Sequence, residues 1–214
     1  MLPLGGRAET DMHFARYRDK AVPLDGSISE FLDSYVGACT GFFEGQDCRD
    51  KAAKFRDEMT GKMLWTVVRE AEADMVQMAA FNPATGEFLV RVTPAFPAGR
   101  FVLSAGPPKR LDEDGTPLFR VLEIPVRRAG ADPAALRHLF DDKLLRVIFV
   151  FTPREVWTVE SGDQKRQGVT MDLHAMLITI NRTGEKVAAW YEAPPPGAKA
   201  PAPAPAPKKS KRRR

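Results

Sequence analysis

The chain has 214 residues, of which 43% are hydrophobic and 28% are charged, and its formal net charge is +4. This composition excludes a disordered or collagen-like protein, and the length is sufficient for one medium-sized domain with a substantial core. The longest apolar run, residues 144–151, contains Arg146 and is less than half as long as a bilayer-spanning helix, so no transmembrane segment is predicted.

The first 26 residues are predicted to form an extended N-terminal segment without an export signal. Residues 1–7, MLPLGGR, have no basic n-region, and their apolar stretch is too short for a secretory signal. An exported protein would therefore have lost its signal from this sequence. Otherwise the protein is cytoplasmic.

Two helices are predicted next, and together they form a helical hairpin. Ser27 and Glu30 have the spacing of a capping box, and Asp47 has the position of a second N-cap. The first apolar face consists of Ile28, Phe31, Leu32, Tyr35, Val36, Cys39 and Phe42, and the second of Cys48, Ala52, Phe55 and Met59. Gly41 and Gly45 supply the stop and the turn between the two helices.

Cys39 and Cys48 are the two cysteines of the chain. On one continuous helix their Cα atoms would lie about 13.5 Å apart, whereas a disulfide needs them within about 7 Å. A hairpin brings them together, so we expect a disulfide and hence an oxidising compartment. The alternative is a pair of buried free thiols, and a metal site is not expected without a neighbouring histidine.

Residues 29–53, SEFLDSYVGACTGFFEGQDCRDKAA, and the strand-rich body after them resemble an uncharacterised bacterial family, a domain of unknown function. The resemblance covers mainly residues 14–191, and members of that family resemble exported proteins. It implies a periplasmic or secreted protein, and it identifies no active site.

From residue 62 onward the hydrophobic pattern alternates, which is typical of strands. Asp132 as N-cap and Pro133 at the first position predict a short helix to Phe140. Strand 144–152 is apolar at odd-numbered and even-numbered positions alike, so we expect it to be covered on both faces. The predicted strands are 64–69, 75–81, 87–93, 100–104, 118–126, 144–152, 155–160, 169–180 and 186–191.

These elements predict an α+β fold in which the N-terminal helical hairpin packs on one face of a mostly antiparallel multi-stranded sheet. The predicted organisation is a single domain at 27–192, an Ala/Pro-rich linker at 193–207 and a basic tail at 208–214. The alternative architecture is a half-open β-barrel plugged by a helix.

Few residues point to chemistry. Among the three histidines, His174 is the one that shares a strand face with a carboxylate, Asp172, two residues away. This pair is a candidate polar site that orients an imidazole or supplies two metal ligands, and the alternative is the polar face of a strand. No nucleophile elbow, Walker loop, dinucleotide fingerprint or metalloprotease helix occurs, so no catalytic residue, metal or cofactor is predicted.

Aromatic residues of the predicted strands offer a second possibility, a cavity for a hydrophobic ligand if the sheet curves around one. The alternative is that they are ordinary core. The residues concerned are Trp65, Trp157, Trp190, Phe149 and Phe151.

The charge of the chain is concentrated at its end. Seven of the 32 basic residues follow Glu192 and no acidic residue does, which leaves 25 basic residues against 28 acidic ones, a body of about −3. Residues 193–207 contain seven of the 18 prolines and are predicted to be a polyproline II spacer, with a reach of about 45 Å. The predicted polyanion-binding tail comprises Lys208, Lys209, Lys211, Arg212, Arg213 and Arg214.

We therefore expect a non-catalytic extracytoplasmic interaction domain, tethered by its spacer and basic tail to an anionic envelope polymer and able to bind a protein partner. One alternative is a hydrophobic-ligand or lipid carrier. Another is a cytosolic nucleic-acid-associated protein that acts through the tail. An enzyme would require a cleft in which Asp172 and His174 meet a third polar group.

Overall fold

The computed structural model describes residues 11–37, 45–72, 74–108, 110–112, 116–128, 132–161 and 164–193. The helices are α1 (Met12–Arg18), α2 (Ile28–Val36), α3 (Gly45–Met59) and α4 (Pro133–Asp141). The strands are β1 (Val22–Pro23), β2 (Leu64–Val68), β3 (Val76–Asn82), β4 (Glu87–Val92), β5 (Ala95–Ala98), β6 (Phe101–Ser104), β7 (Arg110–Leu111), β8 (Pro117–Leu118), β9 (Leu122–Arg127), β10 (Leu145–Ser161), β11 (Gln164–Ile180) and β12 (Lys186–Tyr191). None of the helices in these ranges is long and apolar enough to cross a membrane.

The main sheet is built around the long antiparallel pair β10 and β11. Its strand order is β1-β2-β10-β11-β6-β5, and β12 also pairs with β11. The edge of β11 opposite β10 is shared, with β6 at residues 167–170 and β12 at residues 175–179. The pairs β1–β2 and β6–β11 are parallel and the others are antiparallel. The strand path does not close on itself, so the predicted α+β fold is confirmed and the described strands form no closed barrel.

A second sheet has the antiparallel order β3-β4-β9, and β7 pairs with β8. Both larger sheets contribute to one hydrophobic core, in which Phe96 stacks on Phe149 with ring centroids 4.1 Å apart. Phe31, Leu32 and Tyr35 of α2 are buried in the same core. The core therefore joins the two sheets and the helix into one unit.

Strand β10 is covered on both faces, as its hydrophobic pattern predicts. Val147, Phe149 and Phe151 face the main core, whereas Val150 packs with Ala175 and with Phe14 of α1. The polar exception, Arg146, donates from Nε to Thr179 Oγ1 at 2.8 Å. Helices thus lie on both faces of the sheet, which corrects the expectation that they lie on one.

The prediction of an extended segment at 1–26 is wrong for α1. Asp11 caps this helix by accepting from the amides of His13 at 3.1 Å and Phe14 at 2.9 Å. Phe14 is 3% exposed, so burial of one aromatic side chain and the cap together stabilise a helix of only two turns. Residues 1–10 lie outside the described residues.

The capping box of α2 is confirmed, but the helix ends earlier than predicted. Glu30 N donates to Ser27 Oγ at 3.1 Å, and Ser27 N donates to Glu30 Oε2 at 2.7 Å. The helix ends at Val36 because Gly37 adopts the left-handed conformation, with φ of 84°. Residues 38–44 lie outside the described residues, so the predicted bridge between Cys39 and Cys48 stays a prediction.

Two predicted strands, 144–152 and 155–160, are one strand, β10, whose register shifts at residues 153–156. Because Pro153 interrupts the alternating pattern, the sequence predicted two strands with a break between them. A proline is nevertheless tolerated at such a bulge. The linker after residue 193 and the basic tail lie outside the described residues.

Candidate functional site

Two concave surfaces flank residues 116–122. The first, which we call the bulge cleft, has a volume of about 490 Å³ and is lined by residues that include Arg120, Arg154, Trp157, Asp172, Trp190 and Glu192. The second, which we call the Phe101 groove, has a volume of about 360 Å³ and is lined by residues that include Met75, Pro97, Arg100, Phe101, Phe119 and Arg166. Both volumes lie in the range of small-molecule sites.

The bulge of β10 forms one wall of the bulge cleft. The register shift at residues 153–156 leaves Arg154 and Glu155 exposed. Tyr35 of α2 donates its hydroxyl to the carbonyl oxygen of Arg154 at 2.7 Å, which ties the helix to the bulge. Burial raises the pKa of Tyr35, so this hydroxyl remains a donor across the neutral pH range.

The predicted Asp172 and His174 share a face, but the structure gives each its own partners. Arg154 donates from Nε to Asp172 Oδ2 at 2.6 Å, and the hydrogen bond to Asp172 raises the pKa of the Arg154 guanidinium. His174 Nε2 lies 2.9 Å from Thr152 Oγ1, and its Nδ1 lies 2.8 Å from Glu192 Oε2. Asp172 therefore does not orient the imidazole.

The contacts of His174 resemble those of a catalytic triad, with a hydroxyl, an imidazole and a carboxylate in line. Nucleophilic catalysis requires a hydroxyl that a substrate can reach and a buried acid, and here the exposure of the two groups is reversed. Thr152 is 5% exposed, whereas the Glu192 side chain is 59% exposed. Because the hydroxyl is buried and the acid is exposed to solvent, the arrangement satisfies a buried polar group and holds the end of β12.

The described residues contain no group of three or more His, Cys, Asp or Glu side chains arranged to hold a metal ion. Asp172 and His174 therefore lack the third ligand that a metal site would need among these residues. Their role in function stays a prediction.

The wall between the cleft and the groove is built on Trp157. Its indole N–H donates to the buried Ser104 Oγ at 3.2 Å, and Phe119 packs on it with centroids 5.9 Å apart. Gly168 lies directly opposite on β11. A Cβ there would be 2.4 Å from Trp157 Cζ2 and 2.2 Å from the Val102 carbonyl oxygen, so only glycine leaves room for the indole.

The five aromatic residues predicted to line one cavity are separated in the structure. Phe149 and Phe151 are fully buried in the main core, and Trp65 packs in the smaller cluster around Phe14. Trp157 and Trp190 line the bulge cleft. The predicted aromatic cavity is therefore not formed, because alternation sends neighbouring strand aromatics to different layers.

The Phe101 groove was not predicted from the sequence. Its apolar lining comes from three separate segments, through Met75, Phe101 and Phe119. The guanidinium carbon of Arg100 lies 5.1 Å from the centroid of the Phe101 ring, which places a cation over this lining. The sequence offers no signal for a site whose parts meet only through the pairing of β6 with β11.

The chain matches the Family of unknown function (DUF6066) over residues 1–201 and belongs to that family. No curated protein and no solved structure matches it. The resemblance to a domain of unknown function is thus confirmed, while its implication of export stays a prediction.

Proposed function

We propose that this member of the DUF6066 family is a tethered binding domain rather than an enzyme. The observation that carries the proposal is the Phe101 groove, an apolar-lined concavity of about 360 Å³ beside the wall in which Gly168 leaves room for the Trp157 indole. Sites for small molecules combine an apolar lining with a few polar groups in the same way. The activity that this geometry supports best is the binding of a hydrophobic ligand.

The binding test uses a neutral apolar fluorophore, N-phenyl-1-naphthylamine, titrated into the full chain. We expect saturable enhancement of its emission with one site per chain. Val102→Trp fills the groove and should abolish the enhancement, whereas Val156→Trp places the same side chain in the bulge cleft and should leave it unchanged. Equal behaviour of the two variants contradicts the assignment of the site.

The tether belongs to the same proposal. The body of about −3 and the six cations of Lys208, Lys209, Lys211, Arg212, Arg213 and Arg214 are separated by a proline-rich spacer. Such a tail binds an anionic polymer by releasing counterions, while the spacer keeps the binding surface at a distance. An anionic envelope polymer is the partner that this proposal favours.

Binding to dextran sulfate and to a short DNA duplex tests the tether. We expect the full chain to bind dextran sulfate with an affinity that falls about a thousandfold between 50 and 200 mM salt, as about six phosphate-like contacts imply. A variant in which the six tail cations are glutamine should not bind. Clearly tighter binding to DNA at equal salt favours the cytosolic, nucleic-acid-associated alternative.

We also propose a periplasmic or secreted location, supported by the family resemblance and the expected pairing of Cys39 with Cys48. Intact mass with thiol alkylation, on protein from its native source, tests both points. We expect labelling only after reduction, together with a processed N-terminus. Labelling of both thiols without reductant on a chain that begins at Met1 contradicts export.

A further inference from the structure

We infer that the Phe101 groove binds a single-chain amphiphile through a carboxylate head group that Arg166 and Arg100 recognise. The inference rests on the proposed hydrophobic-ligand function and names the ligand class for that site. It requires that the basic residues of the groove, rather than its acidic residues, have charge available for a ligand.

The lining of the groove contains a pair of acidic residues and a pair of basic residues. Glu72 and Asp74 come from the connection between β2 and β3, whereas Arg100 and Arg166 come from the start of β6 and from β11. Glu72 is already paired, because Lys143 Nζ lies 2.6 Å from its Oε2. The hydrogen bond to Glu72 and, more weakly, the charge of Asp74 raise the pKa of Lys143, so this one ammonium partly offsets both carboxylates.

The two arginines of the groove are less closely paired with opposite charges than Glu72 is. Arg100 Nε lies 3.9 Å from Asp33 Oδ1, at the outer limit of an ion pair, and within the described part of the chain Arg166 makes no ion pair. Guanidinium groups bind carboxylates in a bidentate fork, which suits them to a carboxylate head group. An anion therefore gains more at this groove than a cation does.

The size of the groove limits the length of the apolar chain that fits within it. A volume of about 360 Å³ corresponds to about twelve groups of the size of a water molecule. Decanoate, with twelve non-hydrogen atoms, fits within that volume. Met75, Phe101 and Phe119 supply the apolar surface along which its chain would lie.

An extended peptide added to the sheet edge is the competing occupant, and the structure disfavours it. The strand at that edge, β5, contains Pro97, which lines the groove and has no N–H to donate to an added strand. Strand addition depends on main-chain hydrogen bonds. A ligand with an apolar chain and a charged head group is therefore the better match for the groove.

The test is calorimetric titration of the full chain with sodium decanoate, 1-decanol and decyltrimethylammonium, with the two ions below their critical micelle concentrations and the alcohol below its solubility limit. We expect decanoate to bind about tenfold more tightly than decanol, since a charge-assisted pair contributes that much. Arg166→Gln should remove about that factor for decanoate and leave decanol unchanged. Arg91→Gln is the matched control, because Arg91 pairs with Glu123 on the second sheet, away from the groove.

The outcomes separate the inference from the proposed function. Equal binding of decanol and decanoate, or tightest binding of decyltrimethylammonium, overturns the carboxylate assignment but leaves a hydrophobic site. Failure of all three ligands to bind, together with no fluorophore binding, overturns the proposed function itself. An unchanged decanoate affinity in Arg166→Gln also overturns the assignment of the head-group site.

Discussion

At the scale of single residues, Asp11 joins the first helix to the last strand. It caps α1, and its Oδ2 accepts a hydrogen bond from Lys186 Nζ at 3.2 Å. The Asp11 side chain is 8% exposed. Burial acts to raise the pKa of Asp11, but the neighbouring Tyr191 hydroxyl, the Phe14 amide and Lys186 outweigh burial and lower it. The charged carboxylate is therefore the form that stabilises the fold.

We expect Asp11→Ala to lower the free energy of unfolding by about 1 to 2 kcal/mol at pH 7, since both the helix cap and the contact with Lys186 are lost. Asp11 stabilises the fold fully above its unfolded pKa, near 3.8. That contribution is lost as the pH falls through the lower folded pKa. Urea unfolding at pH 7 and below pH 3 should show the gap between wild type and variant closing, and the exposed Asp25→Ala should show no such gap.

Gly168 is the second residue whose environment makes a definite prediction. Gly168→Ala should cost about 1 to 3 kcal/mol of stability, because its Cβ would meet the Val102 carbonyl at 2.2 Å. Gly45→Ala is the matched control, since its Cβ would meet Arg49 at an ordinary 3.8 Å. Thermal unfolding monitored by circular dichroism compares the two. Equal melting temperatures would show that the Trp157 wall can shift to accept a side chain.

The sequence identified part of the polar site and missed the rest. Asp172 and His174 were found because strand alternation alone places them on one face. Their partners Arg154 and Glu192 lie 18 residues away from Asp172 and His174, respectively, and Thr152 lies 22 residues from His174. Those pairings depend on the register of β10, β11 and β12, which includes bulges that no local pattern specifies.

At the scale of elements, the helices hold the bulge in place. Arg56 of α3 donates from Nη1 to the carbonyl oxygen of Tyr35 at 2.8 Å, and the Tyr35 hydroxyl donates to Arg154 O at 2.7 Å. A continuous series of hydrogen bonds thus runs from α3 through α2 to β10. The bulge that forms one wall of the cleft is therefore bonded to α2 as well as to the sheet.

We expect Tyr35→Phe to lower stability by about 1 kcal/mol, the net value of one buried hydrogen bond, and to speed amide exchange in β10 next to the bulge. Hydrogen exchange followed by mass spectrometry measures both local opening and global stability. Tyr17→Phe, a half-buried tyrosine on α1, is the control and should leave the bulge protected. A uniform change along the whole of β10 would contradict a local role for this bond.

Element positions were predicted better than element lengths. The helix at Pro133–Asp141 and the strand at Lys186–Tyr191 lie where their caps and alternation predicted. Strand β5, with the sequence AFPA, was missed because its proline resembles a loop signal although it lies at a sheet edge. Helix α2 is shorter than predicted because Gly37, in the left-handed conformation, ends it four residues before Gly41, the predicted stop.

At the scale of the whole molecule, the two larger sheets share one core. Val76, Phe88 and Val90 of the second sheet are buried in the same cluster as Phe149 and Val169 of the main sheet. A single cluster of this kind favours cooperative unfolding, because neither sheet keeps its buried face without the other.

We expect far- and near-ultraviolet circular dichroism to report one coincident unfolding transition. Val90→Ala, at a fully buried position of the second sheet, should lower the free energy of unfolding by about 2 kcal/mol. The transitions in both signals should move together. Val121→Ala, at an exposed position, should shift neither. Separate transitions in the two signals would show that unfolding is not a single cooperative step.

The mixed pairing of β11 also bears on how the chain folds. Strands β10 and β11 are close in sequence, whereas the β6–β11 ladder joins Phe101 to Gln167 and must close a long loop. We expect the β10–β11 pair to form early and β6 to join late, with φ-values high in the former and low in the latter. The Phe101 groove is therefore completed last, so a ligand bound there should slow unfolding and leave the refolding rate nearly unchanged.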